Sequence, residues 1–554
     1  MPDRAPALGW LALGLLATTL ALVALRLLPP RALPAVAPPA EFSAHRALEA
    51  LERMAPEELP RPVGSDEHHR FLKRLRHELI VLRIESETTR RHVCGRYGAC
   101  AEVTNLLARL PGARPEALLL VAHYDSVPAG PGAADDGIGV ASVLEIARAL
   151  RASPPLRHTL LLLFTDGEEL GLLGARAFAR EAPEAASVVA AVNLEARGTR
   201  GPSHLFRTTL GAGALLPVLG LPRPLASSLQ REVFRLLPND TDLSELADAG
   251  IPGFDLAFLG GVERYHTALD DRAHLDLASV QHQGENALAL LRALDGGAPL
   301  RGGGDAVFFD LFTAVIAGWP GPVTLPLALA VLLATALSLL GLRRRGRLDG
   351  TALAAGLIAW PALLLGTAAL GAAAQLGLAA AGALPSPWVA RPGPALLAAA
   401  TLAGATTLGA IALTESAGRA ALGIGHLGFT AVAGVATAVW APGASYVFIV
   451  PAAAGALGAG LWAALPAGQA RRGAWAAWAL PLVGTAALVG PVALGLYPAL
   501  GLALYALYPV LALLLLLPAA PALAELDPAL RRRAALGVVV LALLSLAAAA
   551  LVAP

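Results

Sequence analysis

The sequence predicts two fold classes within one chain: an α/β domain whose mostly parallel, mixed sheet is flanked by helices, and an all-α, multi-pass membrane domain. Charged residues make up 15% of the 554 residues, and only 17 of the 83 charged side chains lie after residue 303. Soluble domains average about 25% charged residues. The front part alternates short strand-like and helix-like stretches, and the back part is a succession of long apolar blocks.

The N-terminus predicts a membrane anchor within residues 1–30. The apolar stretch Leu8–Leu28 has the length of a spanning helix and exceeds the core of a signal peptide. A cleaved signal peptide is the alternative, because residues 35–37 read Ala-Val-Ala, but Pro38 directly after them should resist cleavage. The proline-rich segment up to Pro39 is typical of a stiff spacer.

The segment 301–554 predicts a membrane domain of about eight transmembrane helices. Their approximate positions are 323–342, 351–371, 394–413, 420–440, 444–465, 474–492, 496–518 and 534–552. The region 351–383 fits either one long helix or a broken one.

Arginine placement predicts the orientation of these helices. With the N-terminus in the cytoplasm, ten loop arginines fall on the cytoplasmic side and only Arg391 on the other. The ten are Arg343, Arg344, Arg345, Arg347, Arg419, Arg471, Arg472, Arg531, Arg532 and Arg533. Because cytoplasmic loops are enriched in basic residues, the domain formed by residues 31–300 is predicted to be non-cytoplasmic.

The two cysteines, Cys94 and Cys100, are either unrelated small residues or a disulfide that closes a short loop. A zinc knuckle would need further Cys or His ligands at suitable spacing, and His92 alone does not supply them. We predict the disulfide, which persists only in an oxidising compartment.

Residues 31–300 predict the α/β domain. Residues 41–80 show helical spacing, with His68, His69 and His77 expected to face water. Nearly continuous apolar strands then alternate with helices, as in parallel sheets buried on both faces. The predicted strands are 101–110, 117–122, 159–165, 188–194 and 253–259, and the predicted helices are 139–150 and 170–179.

Polar clusters follow four of these strands, where ligands bind in such sheets. The four strands are 117–122, 159–165, 188–194 and 253–259. They are followed, in that order, by His123 with Asp125, by Asp166 with Glu168 and Glu169, by Glu195, and by His266. Each group alone also fits a helix cap or a charged first turn. Together, two imidazoles and several carboxylates suit zinc.

The charges fit two Zn²⁺ ions, held by two imidazoles and three carboxylates with one carboxylate bridging. Glu168 and Glu169 are adjacent, so one can bind metal while the other faces a metal-bridging hydroxide as general base. Asp125 is two residues beyond His123 and could fix its tautomer.

Other partners are predicted from composition. The net charge of +1 and the lack of a basic cluster interleaved with aromatics argue against nucleic acid. Membrane lipid surrounds the helices, and a homo-oligomer could form through them. His426 and Gln375 are the notable polar residues at membrane depth; His426 fits either a helix-to-helix hydrogen bond or a relay function.

Five segments, HYDS, GAADDGIG, TDGEELGLLGA, NLEARG and YHTALDD, occur in the order seen in the zinc aminopeptidase family, family 28 of the metallopeptidases, which the chain resembles over roughly residues 60–295. The stretch PNDTDLSELADAGIPGFDLAF resembles the endoplasmic-reticulum metallopeptidase (Fxna-type) branch. That branch also places its peptidase domain between one helix and a multi-helix tail.

The resemblance implies specific roles for the site residues. His123 and Glu195 would bind one zinc, and Glu169 and His266 the other, with Asp135 bridging and Asp136 joined to it by a cis peptide bond. Glu168 would be the general base, Asp125 the partner of His123, and Tyr265 would stabilise an oxyanion. Glu195 stands where many soluble members have Asp, but the similar branch also has Glu.

These observations predict a membrane-anchored dizinc metallopeptidase that hydrolyses peptide bonds, most simply an aminopeptidase acting on short peptides. One alternative is acyl transfer of the glutaminyl-peptide cyclase type, with a single zinc. Another is an inactive ectodomain on a transport or scaffold membrane domain, although none of the expected ligands is missing.

Overall fold

The computed structural model describes residues 6–552, apart from 210–219, 236–239, 298–304, 385, 390 and 419–420. The predicted loop residue Arg419 therefore lies outside the described residues. The chain divides into two compact units, one formed by Leu27–Gly321 and the other by Met1–Arg26 with Pro322–Pro554.

The first unit contains a seven-stranded sheet with the strand order β1-β2-β4-β3-β5-β7-β6. The strands are β1 (Glu85–Cys94), β2 (Cys100–Leu110), β3 (Arg114–His123), β4 (His158–Thr165), β5 (Val188–Ala196), β6 (Arg200–Thr208) and β7 (Gly253–Gly260). The central strands β4, β3, β5 and β7 are parallel, whereas β1, β2 and β6 pair antiparallel. The predicted mixed α/β sheet is confirmed.

Helices cover both faces of the sheet because the central strands are apolar on both. After α1 (Pro6–Arg26), the helices of this unit are α2 (Ala44–Met54), α3 (Asp66–Val81), α4 (Ile138–Arg151), α5 (Leu173–Glu181), α6 (Ser228–Phe234), α7 (Asp242–Asp248) and α8 (Leu277–Gly296). Leu118 and Leu120 pack with α2, α3, α4 and α8. Leu119 and Val121, pointing the other way, pack with α5 and α7.

Two features lie at the margins of this unit. Cys94 and Cys100 form the predicted disulfide, which closes the β1–β2 hairpin. A second hairpin, β8 (Ala306–Leu311) and β9 (Val315–Pro320), follows the sheet. The Ser228 hydroxyl at the start of α6 donates to the Phe308 carbonyl at 3.0 Å, so the chain beyond the predicted boundary at residue 300 still belongs to this unit.

The second unit consists of apolar helices. They are α1, α9 (Thr324–Arg344), α10 (Gly350–Ala380), α11 (Gly393–Thr414), α12 (Ala421–Trp440), α13 (Tyr446–Ala464), α14 (Ala470–Leu500), α15 (Leu507–Leu516), α16 (Ala520–Leu523) and α17 (Pro528–Val552). Among the described residues, eight helices are long and apolar enough to cross a membrane.

The predicted span 496–518 differs from the structure. Helix α14 continues to Leu500, the chain turns at Gly501 with φ of 58°, and a shorter apolar helical stretch runs from Leu507 to Leu523. A positive φ is costly for residues other than glycine, so Gly501 fixes the break. Region 351–383, which the sequence left open, contains the single helix α10.

The polar residues at membrane depth have different surroundings. The Gln375 amide donates to the Ala503 carbonyl at 2.6 Å. His426 is buried 5.1 Å from the ring of Trp360, and neither of its ring nitrogens has a hydrogen-bond partner within the described part of the chain. Gln375 thus ties α10 to the turn after α14, and His426 packs as an aromatic ring.

Candidate metal centre

The carboxyl ends of the four parallel strands bring the predicted ligands together. His123 is the last residue of β3, Glu169 follows β4 by four residues, Glu195 lies near the end of β5, and His266 follows β7. Parallel strands end at the same edge of a sheet, so residues up to 143 positions apart meet there.

Asp135 lies between the two imidazoles. Its Oδ1 is 3.2 Å from Nε2 of His123, and its Oδ2 is 3.2 Å from Nε2 of His266. The two oxygens of one buried carboxylate therefore face two different histidines, which is the arrangement of a bridging ligand.

Each histidine also approaches its own glutamate. Glu169 Oε2 is 3.1 Å from His266 Nε2, and Glu195 Oε2 is 3.9 Å from His123 Nε2. The structure thus groups His123 with Glu195 and His266 with Glu169, with Asp135 common to both.

The donor atoms fit zinc. His123, Asp135 and Glu169 each bring one ligand atom within 4.8 Å of the others. Ligand atoms about 2.1 Å from a tetrahedral zinc lie about 3.4 Å apart, close to the separations around Asp135. Oε1 of Glu169 is buried without a hydrogen-bond partner, and such an orphaned oxygen needs an ion or a donor.

Asp125 holds the turn that carries both adjacent glutamates. Its two carboxylate oxygens accept the backbone N–H groups of Glu168 and Glu169 at 3.1 and 3.2 Å. The Nδ1 of His123 is 3.5 Å from Asp125 Oδ1, longer than an ordinary N–H···O bond. The sequence pointed to Asp125 beside His123 but not to its contact with the glutamate turn.

The backbone around Asp135 is fixed by Asp270 and by close packing. The Asp135–Asp136 peptide bond is cis. Asp270, from the YHTALDD segment, accepts the N–H groups of Ala134 and Asp135 at 2.7 and 3.1 Å. Asp136 is fully buried against the start of α4, where a side chain at Gly139 would overlap its carboxylate.

Burial dominates the electrostatics of the centre. It raises the pKa of the Glu168 and Glu195 carboxyls well above their usual range, because water no longer solvates their charge. Burial also opposes ionisation of Asp135, but hydrogen bonds from His123 and His266 outweigh it and hold the pKa of that carboxyl below its ordinary value.

Tyr265 lies beside the centre. Its ring stacks on the ring of His266, with centroids 3.7 Å apart, and the guanidinium of Arg197 is 6.0 Å from the centroid of the tyrosine ring. Burial raises the pKa of the Tyr265 hydroxyl, so the group stays protonated and can donate a hydrogen bond.

The expectation that His68 faces water is wrong. His68 is buried, stacks on Tyr124, and has its Nε2 2.8 Å from Oδ1 of Asp166. Asp166, placed by the sequence among the strand-end polar groups, therefore pairs with α3 rather than with the candidate ligands. His69, in contrast, is exposed as predicted.

The sequence pattern does not single out Asp242, although the residue lies in the stretch PNDTDLSELADAGIPGFDLAF. It lies at the start of α7, buried, and accepts a hydrogen bond from the Thr165 hydroxyl at the end of β4. Burial raises its pKa to about 7. The signal available in the sequence was NDTD, a run of capping residues before a helix.

Comparisons with known proteins agree with this geometry. Residues 105–291 match Peptidase family M28. Endoplasmic reticulum metallopeptidase 1 of Mus musculus is 35% identical over 235 residues, which cover 40% of this chain and 26% of that protein. The vacuolar membrane protease of Candida albicans (strain WO-1) is 38% identical over 191 residues, covering 34% and 22% respectively.

The chain spans about a quarter of the length of the curated relatives that it matches. Among solved structures, a glutaminyl cyclase from an Acidobacteriales bacterium is similar at 22% identity and a TM-score of 0.39, covering 48% of this chain and 99% of that one. The five motifs and the strand-end cluster agree with these comparisons: residues 105–291 of this chain are similar to Peptidase family M28, and its curated relatives include endoplasmic reticulum metallopeptidase 1.

Proposed function

We propose that the chain is a membrane-anchored dizinc aminopeptidase acting on short peptides. The observation that carries the proposal is the position of Asp135, whose two oxygens face two separate His–Glu pairs. His123 and Glu195 would hold one zinc, His266 and Glu169 the other. When bound, the two ions supply Lewis acidity, which activates a water and polarises the scissile carbonyl.

The chain's own residues supply the proton transfers. Glu168 takes the proton of the attacking water at its carboxylate and gives it to the departing amine. Asp125 accepts the backbone N–H of Glu168 and so fixes the point at the strand ends from which the Glu168 side chain extends. The Tyr265 hydroxyl donates to the oxygen that gains negative charge during attack.

A count of bound metal tests the dizinc arrangement. Purified full-length protein should retain two zinc ions per chain, measured by elemental analysis after gel filtration. One zinc per chain would favour the single-metal cyclase chemistry, and none would favour an inactive ectodomain.

A matched set of peptides tests the aminopeptidase assignment. Short peptides with a free amino terminus should be hydrolysed, whereas their N-acetylated forms should be cleaved far more slowly, because an aminopeptidase binds the free amine. Equal hydrolysis of both forms would exclude an aminopeptidase while leaving a peptidase. Release of ammonia from N-terminal glutamine without peptide cleavage would identify a cyclase.

We also propose that the peptidase domain is non-cytoplasmic and the N-terminus cytoplasmic. Contacts within the helical unit support the predicted alternation. Arg531 pairs with Glu415 at 2.9 Å, joining two loops assigned to the cytoplasm. The Leu502 N–H donates to the Pro387 carbonyl at 2.6 Å, joining two loops assigned to the opposite side. A homo-oligomer through the membrane helices stays a prediction.

A further inference from the structure

The segment Arg61–His68 precedes residues 105–291, which match the family, yet it contacts two of the loops that carry the candidate ligands. Arg61 is 1% exposed. Its guanidinium donates to the carbonyls of Tyr124, Pro131 and Gly132, with the Tyr124 and Gly132 bonds at 2.7 and 2.8 Å. These carbonyls lie at the two ends of the loop between His123 and Asp135.

The backbone of Arg61 adds a second connection to the same loop. Its N–H donates to the Ser126 hydroxyl at 2.9 Å, and its carbonyl accepts the Ser126 N–H at 3.2 Å. The loop therefore closes around one side chain that supplies planar, rigidly spaced N–H groups.

The charge of Arg61 also faces the centre. Asp125, Asp135, Asp136 and Asp270 are near enough to interact with it electrostatically. The described hydrogen bonds of the guanidinium go to carbonyls, so the cation offsets the four carboxylates without bonding to them.

His68 makes the corresponding contact with the loop after β4. Its Nε2 is 2.8 Å from Oδ1 of Asp166, and Oδ2 of Asp166 accepts the Thr104 N–H at 2.6 Å. Asp166 begins the turn that continues through Gly167 to Glu168 and Glu169. The Asp166 carbonyl accepts the Gly174 N–H at 2.8 Å and so closes that turn.

We propose that Arg61 and His68 are positioning residues of the metal centre. Arg61 sets the distance between His123 and Asp135, and His68 sets the position of the Glu168–Glu169 turn relative to the end of β4. This inference rests on the proposed metal site. Neither side chain touches substrate or metal; both act through the loops that they hold.

The test compares Arg61→Lys and His68→Gln with two matched controls, Arg74→Lys and His69→Gln, in the full chain; both controls lie on α3, the helix that carries His68. Arg74 donates to the Met54 carbonyl and to Glu67, away from the centre, and His69 is exposed. Readouts are the rate of zinc loss to a chelator, the visible spectrum of the Co²⁺-substituted protein, and kcat and KM separately.

In both test variants, zinc loss to the chelator should be about 10- to 100-fold faster and kcat about 10- to 100-fold lower than in the wild type. The Co²⁺ spectrum should change, and KM should stay within about threefold. Both controls should match the wild type. A folded test variant with wild-type zinc retention, spectrum and kcat would overturn the proposal. If Arg61→Lys does not fold, His68→Gln decides alone by the same criteria. Zinc loss and the Co²⁺ spectrum are measured without turnover, so they report on positioning even if the protein hydrolyses none of the peptides.

Discussion

Glu168 and Glu169 are neighbours in sequence, yet the fold gives them different surroundings. Glu169 reaches His266 at 3.1 Å, whereas neither His123 nor His266 forms an ion pair with Glu168. Since Asp125 holds both backbone amides, the two carboxylates cannot exchange places by a shift of the turn. This separation supports one glutamate as ligand and the other as base.

Replacement of Glu168 by Gln should leave zinc bound and lower kcat by about 10²- to 10⁴-fold, because a positioned general base contributes about that much. Steady-state kinetics and zinc analysis on the same preparation check this. The Glu181→Gln variant, at an exposed position on α5, should behave as the wild type. Full activity in Glu168→Gln would remove this residue as the base.

A pH effect on stability is expected from His282, which is buried behind β6. Its Nδ1 accepts the Ser203 N–H at 3.0 Å, and its Nε2–H donates to the Arg223 carbonyl at 2.9 Å. Burial lowers its pKa to about 4. The pKa of this histidine in the unfolded chain is about 6.5. Between about pH 6.5 and pH 4, the unfolded chain therefore binds a proton that the folded chain does not, so the free energy of unfolding falls as the pH falls.

The His282→Gln variant should remove that contribution, because Gln can accept from Ser203 and donate to Arg223 without titrating. Lowering the pH from 7 to 5 should cost the wild type about 2 kcal/mol more than the variant. Thermal unfolding midpoints at several pH values check this, with His69→Gln as the exposed control. Parallel pH curves for wild type and His282→Gln would contradict the prediction.

Residue-level prediction depended on local signals. Residues that directly follow apolar strands, such as His123 and Glu169, could be placed at the strand ends from the sequence. His68 and Arg61 could not, because they reach the site from a helix and a loop that are distant in sequence. Helical periodicity does not distinguish a histidine that faces water from one buried against Tyr124.

At the scale of single elements, helix α8 shows how closely the layers pack. A side chain at Gly284 would overlap the ring of Phe42, which is only 1% exposed and has no room to move, whereas Gly296 on the same helix has open space around it. Glycine is therefore required at one position and not at the other.

The Gly284→Ala variant should lose about 1–3 kcal/mol of unfolding free energy through overpacking. The matched Gly296→Ala variant should be unchanged or slightly more stable, since alanine favours helix over glycine by up to about 1 kcal/mol. Thermal unfolding of the full chain compares the two. Equal midpoints for both variants would mean that Phe42 can move aside.

The strands differ in how well the sequence predicts them. The central strands β3 and β4 read as continuous apolar stretches because both faces are buried. The edge strands β1 and β6 were missed. β1 is mostly exposed and polar, so only its pairing with β2 identifies it as a strand. In β6, apolar and polar residues alternate too weakly to distinguish the segment from a loop.

At the scale of the whole chain, contacts within the helical unit join loops that the sequence predicts to lie on the same side of the membrane. Arg347 donates to the carbonyls of Trp462 and Leu465, the latter at 2.6 Å, which joins the loop after α9 to the end of α13. This contact and the Arg531–Glu415 pair each connect loops predicted to be cytoplasmic. The short stretch Leu507–Leu523 must then cross the membrane for the arginine pattern to hold.

Single cysteines at the two ends of α10 test the orientation. Both natural cysteines are bonded to each other, so an introduced thiol is the only target for a maleimide. In sealed right-side-out vesicles, a membrane-impermeant maleimide should label Ser386→Cys and spare Thr351→Cys, and inverted vesicles should reverse the pattern. Both positions are exposed and carry small hydroxyl side chains. Labelling of Thr351→Cys from outside would invert the topology.

Helix α1 packs on α14, where a side chain at Gly490 would lie 3.1 Å from Leu20. During synthesis, the ribosome reaches residue 490 long after it has made α1. At about 5–20 residues per second, this delay is about 20 to 90 s. Throughout that interval the first helix is without its partner, while the whole α/β domain is made and can fold. The α/β domain can therefore fold before the membrane bundle is complete.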